Sequence, residues 1–502
     1  MGKYLYGASV QGIQGFIFET NKLKEIVGAS DLIEQFCSLE FLKDFLETKK
    51  IPLEAIDILR RAGGNIRIAF ENKEDVEKMV KYFPQYIMSK AYGITISQAL
   101  VEFGKHDYLK KKDELEVKLT KARNQASIPL DSRFSLMKQT PRTGKPAYDY
   151  GANKEIVDKG NWQKNKNAER GRASILLGRL CLTDTDGSFP VDMDDIAKEN
   201  ANNKIAIIHA DGNKMGLMLQ KMNESLKDKS TEEIQKVFKD FSTQITKSTN
   251  DAVKEAFEKN FRKYDKENEL IPFRPVVIGG DDVTVICRAD DALGFTNDYL
   301  EAFEKNTEEN FEEHGLSQYA KKLTACAGIA FCNKKFPFHY AYNLAEDLCK
   351  FAKEESEREA SCLVFHNIQS SYFTDYKSYV DNELRTKEGI SLQFAPYFID
   401  SNRKPTVKSL IEAHKNFSDP DIPLGKYREW LSELNKSQAY AELFLERVDA
   451  LMRSKLSKTK YKDLDKGLSE MDKGLTLNSL ISNNKTPMAD ILQLKSVLGG
   501  KK

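Results

Sequence analysis

The sequence predicts an α+β protein: two ferredoxin-like modules joined by a polar insert and followed by a helical C-terminal domain. Three observations predict it. From residue 204, short apolar runs alternate with segments of helical spacing in the order strand, helix, strand, strand, helix, strand. The first hundred residues repeat that order in degraded form. Past residue 370 the apolar spacing is mostly helical. The expected boundaries are 1–126 for the first module, 127–203 for the insert, 204–370 for the second module and 371–502 for the helical domain.

In the first module "YLYGASV" reads as a strand and "IQGFIFETNKLKEIVGASDLIEQFCSLEFLKDFL" as helical. "AIDILRRAGGNIRIAF" reads as a hairpin, "KEDVEKMVKYFPQYIMSKAY" as a helix and "GITISQALVEF" as a strand. The insert, rich in Lys, Asn and Gly ("DKGNWQKNKNAERGR"), is expected to be small with exposed loops. The second module opens with the apolar strand "KIAIIHA", which ends at Asp211. Two helical stretches follow, the second starting with a capping box from Ser230 to Glu233. "PVVI", "GGDD" and "VTVIC" make a hairpin, and "LTACAGIAFC" and "SCLVFHN" are further strands around the helical "HYAYNLAEDLCKFAKEES". The segment "PLGKYREWLSELNKSQAYAELFLERVDALMRSKL" is helical, and "LGGKK" is a frayed end.

Bulk properties exclude several classes. The 77 Lys and Arg nearly cancel the 76 Asp and Glu, so net charge does not announce an independent nucleic-acid binder. No apolar run reaches the ~18 residues of a membrane span, and the N-terminus "MGKYLYGASVQG" lacks the pattern of a secretory signal. Seven cysteines sit singly, with no C-x-x-C pair. Reduced thiols in a cytoplasmic protein are expected.

Chemistry concentrates at "GGDD". A Gly-Gly-Asp-Asp tetrapeptide alone makes a good turn. Asp211 ends the strand that neighbours this hairpin, however, so Asp211, Asp281 and Asp282 are expected to meet at one sheet edge. Clustered hard oxygens suit Mg²⁺ or Mn²⁺. Such ions can activate a ribose 3′-hydroxyl and hold a triphosphate. Gly212, Gly279 and Gly280 leave room for phosphates to approach backbone. Lys353, in "FAK", is a candidate partner for the β- and γ-phosphates. The first module places Gly63-Gly64 where the second has Gly279-Gly280, followed by Asn65 and Ile66, and its first strand ends near Ser9 instead of an aspartate. One module keeps the carboxylates and its twin lacks them.

"ADGNKMG", "GGDD", "CAGIAF" and "AEDLCKFAK" resemble the nucleotidyl-cyclase and polymerase palm shared by GGDEF cyclases and the large subunit of type III CRISPR effector complexes. "SVQGIQGFIFETNKLKEIVGAS" closely resembles the first palm of that CRISPR subunit, of the Cmr kind. "RTGKPAYDYG" is similar to the segment after that palm, and "PLGKYREWLSEL" to its C-terminal helical domain. The resemblance implies that the second palm binds ATP and metal through Asp211, Asp281 and Asp282, facing a non-catalytic nucleotide pocket of the first palm that uses Ser30. It implies synthesis of cyclic oligoadenylates from ATP when target RNA is bound, or attachment of AMP to S-adenosylmethionine. Many members have Asp-Gly-Asp where this chain has Asp211-Gly212-Asn213; Asn213 still offers an oxygen or a hydrogen-bond donor to the nucleotide.

The family's HD nuclease domain is not expected, because the first palm begins at residue 4 and His106-Asp107 lacks the further His and Asp partners of such a site. The zinc-binding cysteines of the family are absent around "LMKQTPRTGKPA", so the insert reads as a degenerate zinc-ribbon-like region without zinc. The reading is an RNA-activated nucleotidyltransferase. Its partners are sibling Cmr-type subunits, a guide RNA and a target RNA, with no membrane. A free-standing cyclic-nucleotide synthase and a catalytically idle scaffold are the alternatives.

Overall fold

A computed structural model describes residues 3–104, 107–125, 136–151, 154–168, 174–369 and 375–498. The first module runs β1 (Lys3–Gln11), α1 (Ile13–Ile17), α2 (Leu23–Phe36), α3 (Leu39–Thr48), β2 (Ile56–Ala62), β3 (Asn65–Phe70), α4 (Lys73–Lys90), β4 (Thr95–Phe103) and α5 (Tyr108–Arg123). Its antiparallel sheet has the order β2-β3-β1-β4. This is the ferredoxin-like order that the alternation of elements predicts. Ala62 pairs with Asn65, so Gly63 and Gly64 alone form the hairpin loop, both at positive φ (55° and 71°). A two-residue hairpin with positive φ at both positions favours glycine in each.

The insert holds β5 (Asp149–Tyr150), β6 (Ile156–Val157), α6 (Lys159–Ala168), α7 (Ile175–Arg179) and α8 (Met193–Ile196). It departs from the exposed loops expected. Helix α6 lies so close to α2 that a Cβ on Gly28 would stand 1.8 Å from the Lys164 carbonyl oxygen. Lys164 is buried, its ammonium donating to the Phe16 carbonyl (2.7 Å) and to Glu19 (3.1 Å). Arg142 holds the buried Glu25 through two bonds of 2.6 and 3.0 Å. Polar composition misled here because paired charges can be buried.

The second module runs β7 (Lys204–Gly212), α9 (Met215–Ser225), α10 (Thr231–Asn260), β8 (Phe273–Gly279), β9 (Asp282–Arg288), α11 (Ala292–Glu313), β10 (Ala325–Asn333), α12 (Phe338–Glu355) and β11 (Cys362–Asn367). Helix α10 starts with the expected capping box of Ser230 and Glu233. The chain continues through α13 (Tyr376–Glu383), β12 (Tyr397–Phe398), α14 (Val407–Phe417), α15 (Leu424–Lys436), α16 (Gln438–Lys455), α17 (Lys458–Met471) and α18 (Met488–Val497). The second sheet has the order β12-β11-β10-β7-β9-β8. Its last four members repeat the order of the first sheet. Strand β11 adds parallel to β10, and β12, from beyond residue 370, adds antiparallel to β11. One apolar core runs through both modules and the C-terminal helices. No described helix is long and apolar enough to cross a membrane.

The modules meet through specific contacts. Phe18 packs its ring 4.1 Å from Tyr342 and 5.2 Å from Phe338, centroid to centroid. Gln14 donates to the Tyr342 hydroxyl (2.7 Å), and Asn21 accepts from the Phe338 amide (2.9 Å). The two hairpin tips touch: a Cβ on Gly279 would lie 3.3 Å from the Gly63 Cα.

Helix α12 seats on β10 at Gly328, where a Cβ would lie 2.0 Å from the Ala345 carbonyl and 2.5 Å from the Cys349 nitrogen. Both obstacles are backbone and cannot rotate away. Gly328→Ala is therefore expected to destabilise the protein by about 2 kcal/mol or more. Gly425, with nothing within 4 Å of an added Cβ, is the control; Gly425→Ala should be neutral or stabilising by up to about 1 kcal/mol. Denaturant midpoints check both.

Candidate active site

Strand β7 ends in Asp211-Gly212, and β9 begins at Asp282 on the adjacent strand. Ala210 pairs with Val283, so Asp211 and Asp282 lie one step further along the same ladder. Asp281 occupies the hairpin loop, since Gly279 pairs with Asp282. This register corrects the sequence comparison of the two modules by one residue. The loop Gly63-Gly64 matches Gly280-Asp281, not Gly279-Gly280. The counterparts of Asp211, Asp281 and Asp282 are Ser9, Gly64 and Asn65, consistent with the Ser9–Asn65 pair of the first sheet. The alignment slipped because glycine pairs match by letter while two-residue loops match by hydrogen bonding.

The three glycines have separate causes. Gly212 makes room for Asp281, whose carboxylate Oδ2 would lie 2.6 Å from a Cβ there. Gly279 makes room for Gly63 of the other module. Gly280 takes φ +67° with open space around it, and its carbonyl accepts from Thr249 of α10 (2.6 Å). Lys353, in the last turn of α12, donates to Asp211 Oδ2 (2.5 Å) and to the Gly212 carbonyl (2.7 Å). It joins the cluster as the partner of Asp211. Asn213 does not face the carboxylates. It is buried, donating through its side chain to Thr324 (2.9 Å) and the Ala360 carbonyl (3.4 Å). Ser30 lies at the module interface, its hydroxyl donating to the Val276 carbonyl. His106 falls outside the described residues; Asp107 accepts from the Gly104 amide (2.5 Å).

The carboxylates cluster without converging on a single point. Asp211 turns to Lys353, Asp281 covers Gly212, and Asp282 Oδ1 stands 3.5 Å from His209 Nδ1. Among the described residues no group of three or more His, Cys, Asp or Glu is already arranged to hold a metal ion. Asp282 Oδ1 is itself buried and has no hydrogen-bond partner. Burial, then the negative charge of Asp211, push the Asp281 carboxyl up to about 6. The same causes with Glu346 push Asp282 up to about 8, while Lys353 acts in the opposite sense on both. Asp282 keeps 39% of its side chain exposed. Protein therefore surrounds this group without covering it.

A cavity of about 460 Å³ lies between the modules. The first module contributes Gln11, Ser30 and Asn65, and the second Gly280, Asp282 and Tyr342. A second cavity of about 430 Å³ reaches Asp281 from the side of α9 and α10. Arg60 of β2 lines both. Sequence reading missed Arg60, His209, Glu346 and Tyr299, whose buried hydroxyl has no hydrogen-bond partner. His209 stands two residues before Asp211 on one strand, and Glu346 seven before Lys353 on one helix. Both spacings were available as signals.

Folded carboxyls held above their ordinary value of 3.8 add stability at low pH that is lost as pH rises through their folded values. With chelator present, the melting temperature of wild type relative to Asp282→Asn should fall as pH climbs from about 4 to about 8. The variant's advantage should level off above about pH 8, where the Asp282 carboxyl has lost its proton in the folded protein as well. A difference between the two proteins that does not grow across this range would contradict the charge crowding.

The model of the Cas10/Cmr2 second palm domain matches residues 204–362. No curated protein sequence matches the chain. Among solved structures, a Csm1–Csm4 cassette in complex with pppApA superposes with TM-score 0.56 at 12% identity, covering 99% of this chain and 69% of that one. The cassette in complex with AMPPNP gives 0.52 at 12% identity, with 99% and 69% covered. The cassette with cA4 gives 0.52 at 12% identity, with 88% and 64% covered. At this identity the likeness is one of fold. Residues 204–362 thus match the second palm domain of the Cas10/Cmr2 family, and the chain as a whole shares the fold of the Csm1–Csm4 cassettes.

Proposed function

We propose that the chain is the nucleotidyltransferase subunit of a type III CRISPR effector complex, joining adenylates from ATP in the cavity between its palms. The observation that carries this reading is the gathering of Asp211, Asp281, Asp282 and Lys353 at strand ends beside a cavity whose far wall is the carboxylate-free twin module. The Csm1–Csm4 cassettes that share the fold are in complex with pppApA, AMPPNP and cA4. Adenine nucleotides and their short oligomers are the ligand class proposed here. A volume of about 460 Å³ falls within the ordinary range for small-molecule sites.

The residues fit a divalent cation. Their donors are hard oxygens, Asp282 Oδ1 is buried without a hydrogen-bond partner, and two carboxyls are held well above their ordinary range. Asp211, Asp281 and Asp282 would hold Mg²⁺ or Mn²⁺, which would supply the charge that activates a ribose 3′-hydroxyl and offsets the triphosphate. Lys353 stands as the cation for the β- and γ-phosphates, presently shared between Asp211 and the Gly212 carbonyl. On the first palm, Ser9, Gly64 and Asn65 replace the acids, so that wall does not repel a second anionic nucleotide. Ser30 spends its proton on Val276 and keeps an oxygen lone pair to accept from an adenosine.

Near-neutral charge supports a subunit that senses guide and target RNA through neighbouring Cmr-type subunits in the cytoplasm. The test incubates the assembled complex with target RNA, labelled ATP and Mg²⁺, with and without S-adenosylmethionine, and reads product mass. Oligoadenylate is expected in the first arm. An AMP conjugate in the second arm would name S-adenosylmethionine as acceptor. Asp281→Ala with Asp282→Ala removes several kcal/mol of metal-supplied stabilisation, a fall of about a thousandfold or more, while assembly and RNA binding persist. Retained synthesis in that variant contradicts the site.

A further inference from the structure

Next to the site, a cleft of about 630 Å³ opens between β2 and α10. Its walls carry Arg60, Arg61, Arg179, Lys239 and Lys247 against one carboxylate, Asp251. Some of this charge is already used. Arg179 pairs with Glu34 and donates to the Ile278 carbonyl, Arg61 donates to the Cys37 carbonyl (2.6 Å), and Lys247 donates to Asn310 (3.0 Å). Arg60 and Lys239 have no side-chain hydrogen bond or ion pair among the described residues. A register shift between Ile58 and Arg60 marks a bulge in β2. Bulges re-aim side chains, which accounts for consecutive Arg60 and Arg61 both reaching the cleft. On α10, Lys239, Thr243, Thr246 and Asn250 recur at i, i+4, i+7 and i+11 and so share one face. The Asn250 Oδ1 is buried without a partner.

Arg60 also lines the two cavities that reach Asp282 and Asp281. Cleft and active site therefore adjoin at one guanidinium that faces several openings. Its side chain is exposed to these openings, yet surrounding protein and the neighbouring Arg67 lower its proton affinity, with Glu116 and Asp281 acting in the opposite sense without bonding it. An unpaired cation in that setting favours an anion. Among the described residues no aromatic ring lines the cleft, which favours recognition of phosphates over stacking of bases. We infer that this cleft binds the phosphate backbone of the short oligonucleotide that extends out of the nucleotidyl-transfer cavity. The inference rests on the function proposed above, and it assigns Arg60, Lys239 and Lys247 a ligand outside the carboxylate cluster.

The experiment measures binding of linear 5′-phosphorylated tri-adenylate to the full chain by fluorescence anisotropy over a salt series. The variant Lys239→Ala with Lys247→Ala changes two exposed side chains of α10, away from the carboxylates. Losing two phosphate contacts should weaken tri-adenylate binding about tenfold and flatten the slope of log K against log salt by about 1.4. AMPPNP affinity should not change. Unchanged tri-adenylate binding overturns the inference. So does a variant that weakens only a single-stranded RNA of about 20 nucleotides, longer than the few-nucleotide site expected here. ATP turnover by the same proteins in the complex separates the two proposals. Turnover with tri-adenylate binding unaffected in the variant overturns the cleft alone. Weakened tri-adenylate binding with no wild-type turnover supports the cleft and contradicts the proposed function.

Discussion

Two hairpin tips touch, and the architecture of the site depends on that contact. Gly279 and Gly63 approach so closely that a single methyl group on Gly279 would press on the other backbone at 3.3 Å. Each tip is the loop end of an edge hairpin in its own sheet, so the contact fixes how the two sheets face. The Ser30 bond to the Val276 carbonyl, the Gln14 bond to Tyr342 and the packing of Phe18 on Tyr342 support the same alignment. A duplicated module thereby becomes a two-walled cavity with acids on one wall only.

Charge crowding is the second constraint. Three carboxylates at neighbouring strand ends repel one another, and Lys353 relieves only part of this by pairing with Asp211. The remaining imbalance appears in the raised Asp281 and Asp282 carboxyls and in the unpartnered oxygen of Asp282. Stability is given up locally to keep acids close, an arrangement that favours chemistry needing concentrated negative charge beside a phosphate-binding cavity.

Much of this was legible in sequence, for physical reasons. The strands of the second sheet are buried on both faces, so "KIAIIHA" and "VTVIC" appear as continuous apolar runs. Asp211, Asp281 and Asp282 stood out because charge interrupts those runs where the ladder ends. The twin register was misread by one residue, since only pairing shows that Gly64 matches Asp281. The insert misled because Lys164 and Arg142 are polar letters whose partners, the Phe16 carbonyl and the buried Glu25, lie more than a hundred residues away. Asn213 looked like a site residue beside Asp211, but it lies just past the end of β7, where its side chain bonds Thr324. Arg60 was invisible, because a bulge sets its direction and bulges leave no reliable trace in composition.

The most direct test is a crystal structure of the full chain with AMPPNP and Mn²⁺, using the anomalous signal of manganese to place the metal. The account predicts Mn²⁺ bound by carboxylate oxygens of Asp211, Asp281 and Asp282, with the nucleotide in the cavity between the two glycine tips. Manganese located elsewhere, or a nucleotide bound away from that cavity while the three carboxylates keep their present partners, would contradict it.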